Sequence, residues 1–394
     1  MKKYKLAYDT WDWKEISAIQ KVLKSKKFTM GANVKKFENE FSNFFGLKYS
    51  VMVNSGSSAN LLAAAIIKYL KLDKNKNEII VPGISWATTY SPFINLGYKL
   101  VFVDVNLKDF NINFDLVKKA ITNKTAAIVA VNILGAPADL VNLRKICNKK
   151  KIVLVEDNCE SMGAKIKNKF AGTFGDINTH SFFFSHHLST MEGGMLSTNN
   201  KTIYHAALSL RAHGWTRDLP KNTKVFKRTS NDFYEAYRFI FPGFNLRPIE
   251  IMAAAAREKL KKLKLFLKIR SENYKVFHKL FANSSKFFIQ QPKKNNFNSS
   301  FNFPMVLKEK YKHKRLYFLN KLKKAKIDHR IVTGGCYILH DVMKNFSYRT
   351  VNEKNTKYSL PVSEYIHKYG FFVGNGPVNL KNNLLKLYKI LSKD

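Results

Sequence analysis

The chain has 394 residues, 45% of them hydrophobic, enough to bury a full core and to divide into a large and a smaller domain. No apolar run reaches the roughly 18 residues of a membrane span, and the N-terminal MKKYKLAYDTWDW lacks the apolar segment of a secretory signal, so a cytoplasmic protein with no membrane partner is expected. The 68 Lys and Arg against 28 Asp and Glu give a formal charge of +40, but only 11 of the basic residues are Arg and the lysines are scattered along the chain, so no nucleic-acid partner is expected and the diffuse field would serve at most to attract an anionic small substrate.

Between residues 50 and 200 short β-rich runs alternate with helical stretches. SVMV, IIVP, LVFVDV, AAIVAV, IVLVED and SFFF read as strands, with helices such as 60–70 and 140–150 between them. That alternation predicts an α/β fold, a mainly parallel sheet flanked by helices. Residues 248–277 carry apolar positions at helical spacing among lysines and read as a long amphipathic helix. We place the boundary at its start, with a large domain over 1–247 and a smaller C-terminal α+β domain over 248–394. The smaller domain is expected to hold strands over 287–306 and 327–332 and a closing helix over 382–391. Cys147, Cys159 and Cys336 lie far apart without CxxC spacing, so neither a disulfide framework nor a structural metal site is expected.

Open parallel sheets bind ligands at the carboxyl ends of their strands, and three features fall there. Asn54-Ser-Gly-Ser-Ser-Ala59 follows SVMV and opens a helix, where small residues let backbone N–H groups approach a phosphate. Taken alone, an N-cap explains it as well. Asp157 ends IVLVED and would point into the cleft, whereas Glu156 should face the opposite side of the sheet; a strand-end Asp can also simply cap the next turn. The third feature is Ser181-Phe-Phe-Phe-Ser-His-His-Leu-Ser-Thr-Met-Glu-Gly-Gly194, a strand running into a polar loop and a Gly pair.

This last segment resembles the DegT/DnrJ/StrS family of pyridoxal-phosphate sugar aminotransferases, whose pattern reads roughly S-F-x-x-x-K-x-x-T-T-G-E-G-G. Further matches are Thr29-Met-Gly-Ala-Asn-Val-Lys-Lys-Phe-Glu38, Val53-Asn-Ser-Gly-Ser-Ser-Ala-Asn-Leu-Leu62, Glu156-Asp-Asn-Cys-Glu-Ser-Met-Gly163, Arg211-Ala-His-Gly-Trp-Thr-Arg217, Gly243-Phe-Asn-Leu-Arg247 and Gly370-Phe-Phe-Val-Gly-Asn375. The resemblance implies the aspartate-aminotransferase fold. The chain departs from the pattern at one decisive place: the family lysine falls on His186, and no lysine occurs from Phe170 to Asn200. A histidine cannot form the Schiff base to the cofactor, but it can move protons near neutral pH.

Within the family, this swap is similar to the 3-dehydratases of deoxysugar biosynthesis, which use pyridoxamine phosphate without a covalent anchor. One branch of these also carries an iron–sulfur cluster, which usually needs four thiolates; with three dispersed cysteines this chain fits the cluster-free branch. The resemblance therefore implies a pyridoxal/pyridoxamine 5'-phosphate-dependent 3-dehydratase. Its substrate would be a nucleotide-linked 4-keto-6-deoxyhexose, GDP-4-keto-6-deoxymannose first, with glutamate restoring the amine form of the cofactor, in dideoxysugar and O-antigen biosynthesis. The alternatives are a nucleotide-sugar 4-aminotransferase and a CDP-linked 3-dehydratase. It further implies His186 as the catalytic residue, and Gly56, Ser57 and Ser181 at the cofactor phosphate. Trp86 would stack on the ring, although alone it would suggest core packing; Asp157 would pair with the ring nitrogen and Glu160 would lie on the ring hydroxyl side. Asn245 would reach in from the second subunit of a homodimer with shared sites, and His213, Arg217 and Arg330 would bind substrate. His187, next in the chain, should face away from the cofactor.

Overall fold

In the computed structural model, residues 3–291 and 293–392 are described. Numbered along the chain, the longer strands of the large sheet begin with β1 (Tyr49–Val53), β2 (Glu78–Pro82), β3 (Lys99–Val103) and β4 (Thr125–Val131). They continue with β5 (Val153–Asp157), β6 (Ile177–Ser181) and β7 (Gly194–Thr198). After a long helix come β8 (Phe287–Ile289), β9 (Asn302–Leu307), β10 (His329–Arg330), β11 (Tyr348–Val351) and β12 (Gly370–Gly374). The large sheet has eight strands in the order β1-β7-β6-β5-β4-β2-β3-β11. Only β7 runs against its neighbours, β1 and β6; the other pairs in the sheet are parallel. The carboxyl ends of β1, β2, β4, β5 and β6 therefore open along one edge, where an open α/β sheet forms its ligand crevice.

The runs that the sequence marks most clearly are those buried on both faces. Every residue of β2 and β4 is buried, and helix Gly56–Tyr69 lies against the sheet with Ala59, Leu62, Ala63, Ile66 and Ile67 fully enclosed. Side chains such as Leu and Ile contribute about 1.5–3 kcal/mol each on full burial. The expected strand SFFF is displaced: β6 is Ile-Asn-Thr-His-Ser over 177–181, and Phe183 and Phe184 stand exposed beyond its end. The cause is that β6 buries polar residues, two held by hydrogen bonds and one by ring packing. Asn178 donates to Ser197 O (3.1 Å), Thr179 donates to Asn60 Oδ1 (2.7 Å), and the His180 ring lies 5.8 Å from that of Phe45 and 5.1 Å from that of Phe41.

Helix Glu250–Phe281 spans 32 residues and links the two halves of the chain. Its first carboxylate reaches back to the N-terminal part of the fold, where Glu250 accepts the amides of Gly31 (2.9 Å), Asn33 (2.8 Å) and Val34 (2.9 Å). Those amides open helix Ala32–Phe45, whose N-cap Gly31 has no side chain to satisfy them. Beyond the long helix, β8-β9-β12-β10 form an antiparallel four-stranded sheet. It packs on Phe277, Phe281, Leu384, Leu387 and Leu391, from the long helix and the closing helix Lys381–Ser392. The expected run 287–306 resolves into β8 and β9 with a loop between them, and 327–332 shrinks to the two residues of β10.

Two segments cross the 247/248 division. Strand β11, from the second half, completes the large sheet beside β3. Tyr4, from the first half, bonds into the small sheet region through its amide to Lys326 O (3.0 Å) and its hydroxyl to Gly374 O (2.6 Å). Among the described residues no helix is long and apolar enough to cross a membrane.

Candidate active site

The sheet edge is shaped first by close backbone packing. A Cβ on Gly56 would lie 2.5 Å from Ser181 Cβ, and one on Gly194 would lie 2.2 Å from Ser55 O, so β6 and β7 press directly against the turn that follows β1. That turn opens helix Gly56–Tyr69 with Ser55 as N-cap, its hydroxyl accepting the Ser58 amide at 3.0 Å. The amides of Gly56 and Ser57 belong to the first turn, which the helix itself leaves unbonded. Ser57 Oγ donates to Thr88 Oγ1 (3.0 Å). The result is a concave set of backbone N–H groups with Ser181 at its wall, an arrangement suited to a phosphate.

Asp157, at the carboxyl end of β5, is buried. Its Oδ2 accepts Asn60 Nδ2 (2.9 Å) and Thr89 Oγ1 (2.8 Å), while Oδ1 accepts the Cys159 amide (3.2 Å). Glu156 points the other way, as the strand period requires, and is held by the amides of Gly172, Phe174 (2.9 Å) and Gly175 (3.2 Å) and by Asn132 (2.9 Å). Glu160 accepts the Leu134 amide (3.1 Å). Burial pushes its pKa up to about 7, opposed by that amide and reinforced by the charge of Asp157. Trp86 stands at the end of the segment after β2 with 57% of its surface exposed, so its ring is free to cover a ligand and is not used in the core.

His186 Nδ1 lies 2.7 Å from the Cys159 carbonyl. A carbonyl can only accept, so Nδ1 carries the proton and Nε2 presents a lone pair in the neutral ring. The ring sits 4.9 Å from that of Phe301, which comes from the second half of the chain. Burial lowers the His186 pKa to about 4; the Cys159 carbonyl opposes it, Arg270 pushes the same way as burial, and Asp157 opposes it again. At neutral pH the side chain is therefore a neutral base with a fixed tautomer. Because the folded-state pKa lies below the unfolded 6.5, His186 contributes stability that is present above 6.5 and lost as pH falls toward about 4. Between those limits the wild type should lose thermal stability faster than a His186→Asn variant, as read by midpoints measured from pH 7 to 4. His187 is buried, its Nε2 3.2 Å from Ser299 O.

The fold thus brings together Gly56, Ser57, Trp86, Asp157, Glu160, Ser181 and His186 at the carboxyl edge. It leaves Asn245, His213, Arg217 and Arg330 exposed and, among the described residues, without a hydrogen bond to any of them. Asn245 Oδ1 accepts Arg247 Nε (3.0 Å), and the Arg217 guanidinium covers the Trp215 ring at 3.9 Å. His213 has φ 65° and donates its amide to Phe244 O (2.7 Å), and Arg330 lies in β10. Sequence reasoning missed Asn60, Thr89, Thr179, Phe301 and the Cys159 carbonyl. Only Asn60 left a signal, as the single amide in a helical run otherwise made of Ala, Leu and Ile from 59 to 67. A separate cleft lined by Trp13, Lys21, Arg257 and Lys261 contains no His, Cys or Asp, and the chemistry described above does not sit there.

The model of the DegT/DnrJ/EryC1/StrS aminotransferase family matches residues 10–373. The chain is 44% identical over 394 residues to GDP-4-keto-6-deoxy-D-mannose 3-dehydratase from Yersinia pseudotuberculosis, covering 99% of this chain and 98% of that protein. A crystal structure of GDP-4-keto-6-deoxymannose-3-dehydratase with a trapped PLP-glutamate geminal diamine superposes with a TM-score of 0.94 at 41% identity, covering 98% of this chain and 100% of that one. The Helicobacter pylori aminotransferase PseC shares the fold, with a TM-score of 0.86 at 22% identity and 99% of each chain covered. With nearly its whole length matched, and with histidine where the pattern has lysine, the chain belongs to the DegT/DnrJ/EryC1/StrS aminotransferase family and has the aminotransferase fold.

Proposed function

We propose that the chain is a 3-dehydratase that removes the C3 hydroxyl of GDP-4-keto-6-deoxymannose, using pyridoxal/pyridoxamine 5'-phosphate held without a covalent bond and glutamate as amine donor. The observation that carries this reading is His186, a neutral base of fixed tautomer at the position of the family lysine. The edge fits the cofactor: a cradle of first-turn helix amides beside Ser181, a carboxylate whose Oδ1 accepts one amide, and an exposed indole. The amine-loaded cofactor supplies a nucleophile for the C4 keto group and a ring that takes up electrons as the C3–O bond breaks.

The residues divide the remaining work. Gly56, Ser57 and Ser181 bind the phosphate, Trp86 covers the ring face, Asp157 holds the protonated ring nitrogen, and Glu160 lies toward the ring hydroxyl. With the cofactor bound, His186 Nε2 would serve as the base that accepts a proton and then as the acid that gives it to the departing C3 oxygen, which would leave as water. The two electrons that replace the C3–O bond come from glutamate, which is released as 2-oxoglutarate, and its nitrogen leaves as ammonia. Asn245, His213 and Arg217 act across the interface of a homodimer, at the site of the partner subunit, consistent with their exposure on one chain. Arg330 is a substrate contact from the small sheet, and the enzyme works in the cytoplasm.

The test is to load the protein with pyridoxamine phosphate and glutamate, add GDP-4-keto-6-deoxymannose, and follow ammonia and sugar mass. Ammonia release with loss of one sugar oxygen supports the reading; a 4-amino sugar without ammonia would replace it with aminotransfer. A Gly56→Ala variant should bind the cofactor at least about tenfold more weakly, or about 1.4 kcal/mol, because its Cβ forces Ser181 out of place; fluorescence titration with pyridoxal phosphate checks this.

A further inference from the structure

Asp157 does not stand alone at the end of β5. Asn60 Nδ2 faces both Asp157 Oδ2 (2.9 Å) and the Thr88 carbonyl (3.2 Å). Both of those atoms can only accept, so the amide nitrogen of Asn60 must be the one facing them, and its orientation is settled without ambiguity. Its oxygen then receives the Thr179 hydroxyl at 2.7 Å. On the other side, Thr89 Oγ1 donates to the same Asp157 Oδ2 at 2.8 Å. With that proton committed, the 2.8 Å contact between Ser85 and Thr89 must have Ser85 as donor. Every proton in the chain Thr179, Asn60, Asp157, Thr89, Ser85 points toward Oδ2. The other oxygen, Oδ1, receives the longer Cys159 amide bond and has room for a further donor.

We propose that Asn60 and Thr89 form a clamp that saturates one oxygen of Asp157, fixes the orientation of the carboxylate, and reserves the other oxygen for the nitrogen of the cofactor ring. The inference rests on the cofactor reading above and adds two positioning residues to it. Two carboxyl groups share this pocket, and they are treated unequally. Asp157 has three donors directed at it, whereas Glu160 accepts one backbone amide. Burial displaces the Glu160 pKa upward, opposed by that amide and reinforced by the charge of Asp157. Removing a donor from Oδ2 leaves that oxygen unsatisfied where water cannot replace the bond, so the carboxylate is no longer held with Oδ1 toward the ring. A carboxylate free to turn makes a poorer bond to the N–H of the ring, and the ring loses its proton more readily.

The experiment uses full-length Asn60→Leu and Thr89→Val, both close in volume to the original side chains, with Thr89→Ser as the conservative control. Pyridoxal phosphate affinity is measured by fluorescence titration, and the ring-nitrogen titration of the bound cofactor is followed by its absorbance across pH. Each disruptive variant should bind the cofactor about tenfold more weakly and shift the absorbance midpoint down by about one pH unit, while Thr89→Ser stays near wild type. Variants that fold, melt at a lower temperature and leave affinity and midpoint unchanged would show a merely structural role and overturn the proposal. Failure of the wild type to bind pyridoxal phosphate at all would overturn the cofactor reading itself, and the clamp with it.

Discussion

In a His186→Asn variant, ammonia release from GDP-4-keto-6-deoxymannose should fall by about 10²–10⁴-fold, the range ascribed to a positioned acid–base group, while cofactor affinity stays within about twofold. Asparagine can keep the bond to the Cys159 carbonyl through its amide N–H, so the loop geometry set by that 2.7 Å contact survives while the basic lone pair of Nε2 is lost. A His186→Lys variant extends the test. It should gain the absorbance of a covalent lysine–cofactor bond and lose dehydration, because the amine is then engaged with the cofactor. Full dehydratase turnover in the lysine variant would sink the role assigned to His186. Stopped-flow absorbance and an ammonia assay read both arms.

The second large effect is expected at Asp157. Substituting Asn leaves shape nearly unchanged but must place an NH₂ group on one side. It cannot face Asn60 and Thr89, since both donate there; it would turn toward the position of Oδ1, where the ring nitrogen is to be held. A donor in that place favours the unprotonated ring, which is a poorer electron sink. Turnover of the Asp157→Asn variant should fall by about 10²–10³-fold, on the scale of losing one preorganised electrostatic contact. The discriminating measurement is substitution of a cofactor analogue whose ring nitrogen carries a permanent methyl cation. If the loss is electronic, the analogue should recover turnover in the variant; if the new amide has disturbed the pocket, it should not.

Much of the fold and of the site is legible in the sequence, for definite physical reasons. Strands such as β2 and β4 are buried on both faces and announce themselves as continuous apolar runs. The swap at His186 is visible because the segment from 170 to 200 is empty of lysine in a lysine-rich chain. Strand β6 is harder to place because its burial is achieved by hydrogen bonds and ring contacts of Asn178, Thr179 and His180, which carry no hydrophobic signal, while the apolar Phe183 and Phe184 lie outside it. The clamp on Asp157 is hidden because its members are distant in sequence and each looks ordinary alone. Thr89 is one of two adjacent threonines in a turn, and Thr179 is a β-branched residue in a strand. Asn245, His213 and Arg217 can be located by motif but not by what they touch, since a single chain offers them only solvent and nearby residues of their own segment.

The entry of β11 into the large sheet also constrains how the molecule can be made. A ribosome delivers the N-terminal half first, and β1 to β7 can begin to pair as they emerge, yet the edge beside β3 stays open until residue 351 has left the exit tunnel. Tyr4 waits longer still, because its hydroxyl partner Gly374 is 370 residues away. Contacts of such separation are slow to form and leave unpaired strand edges exposed in the interim. The nascent chain thus spends most of its synthesis with an unfinished sheet, a period in which chaperone protection matters more than for a chain whose halves close independently.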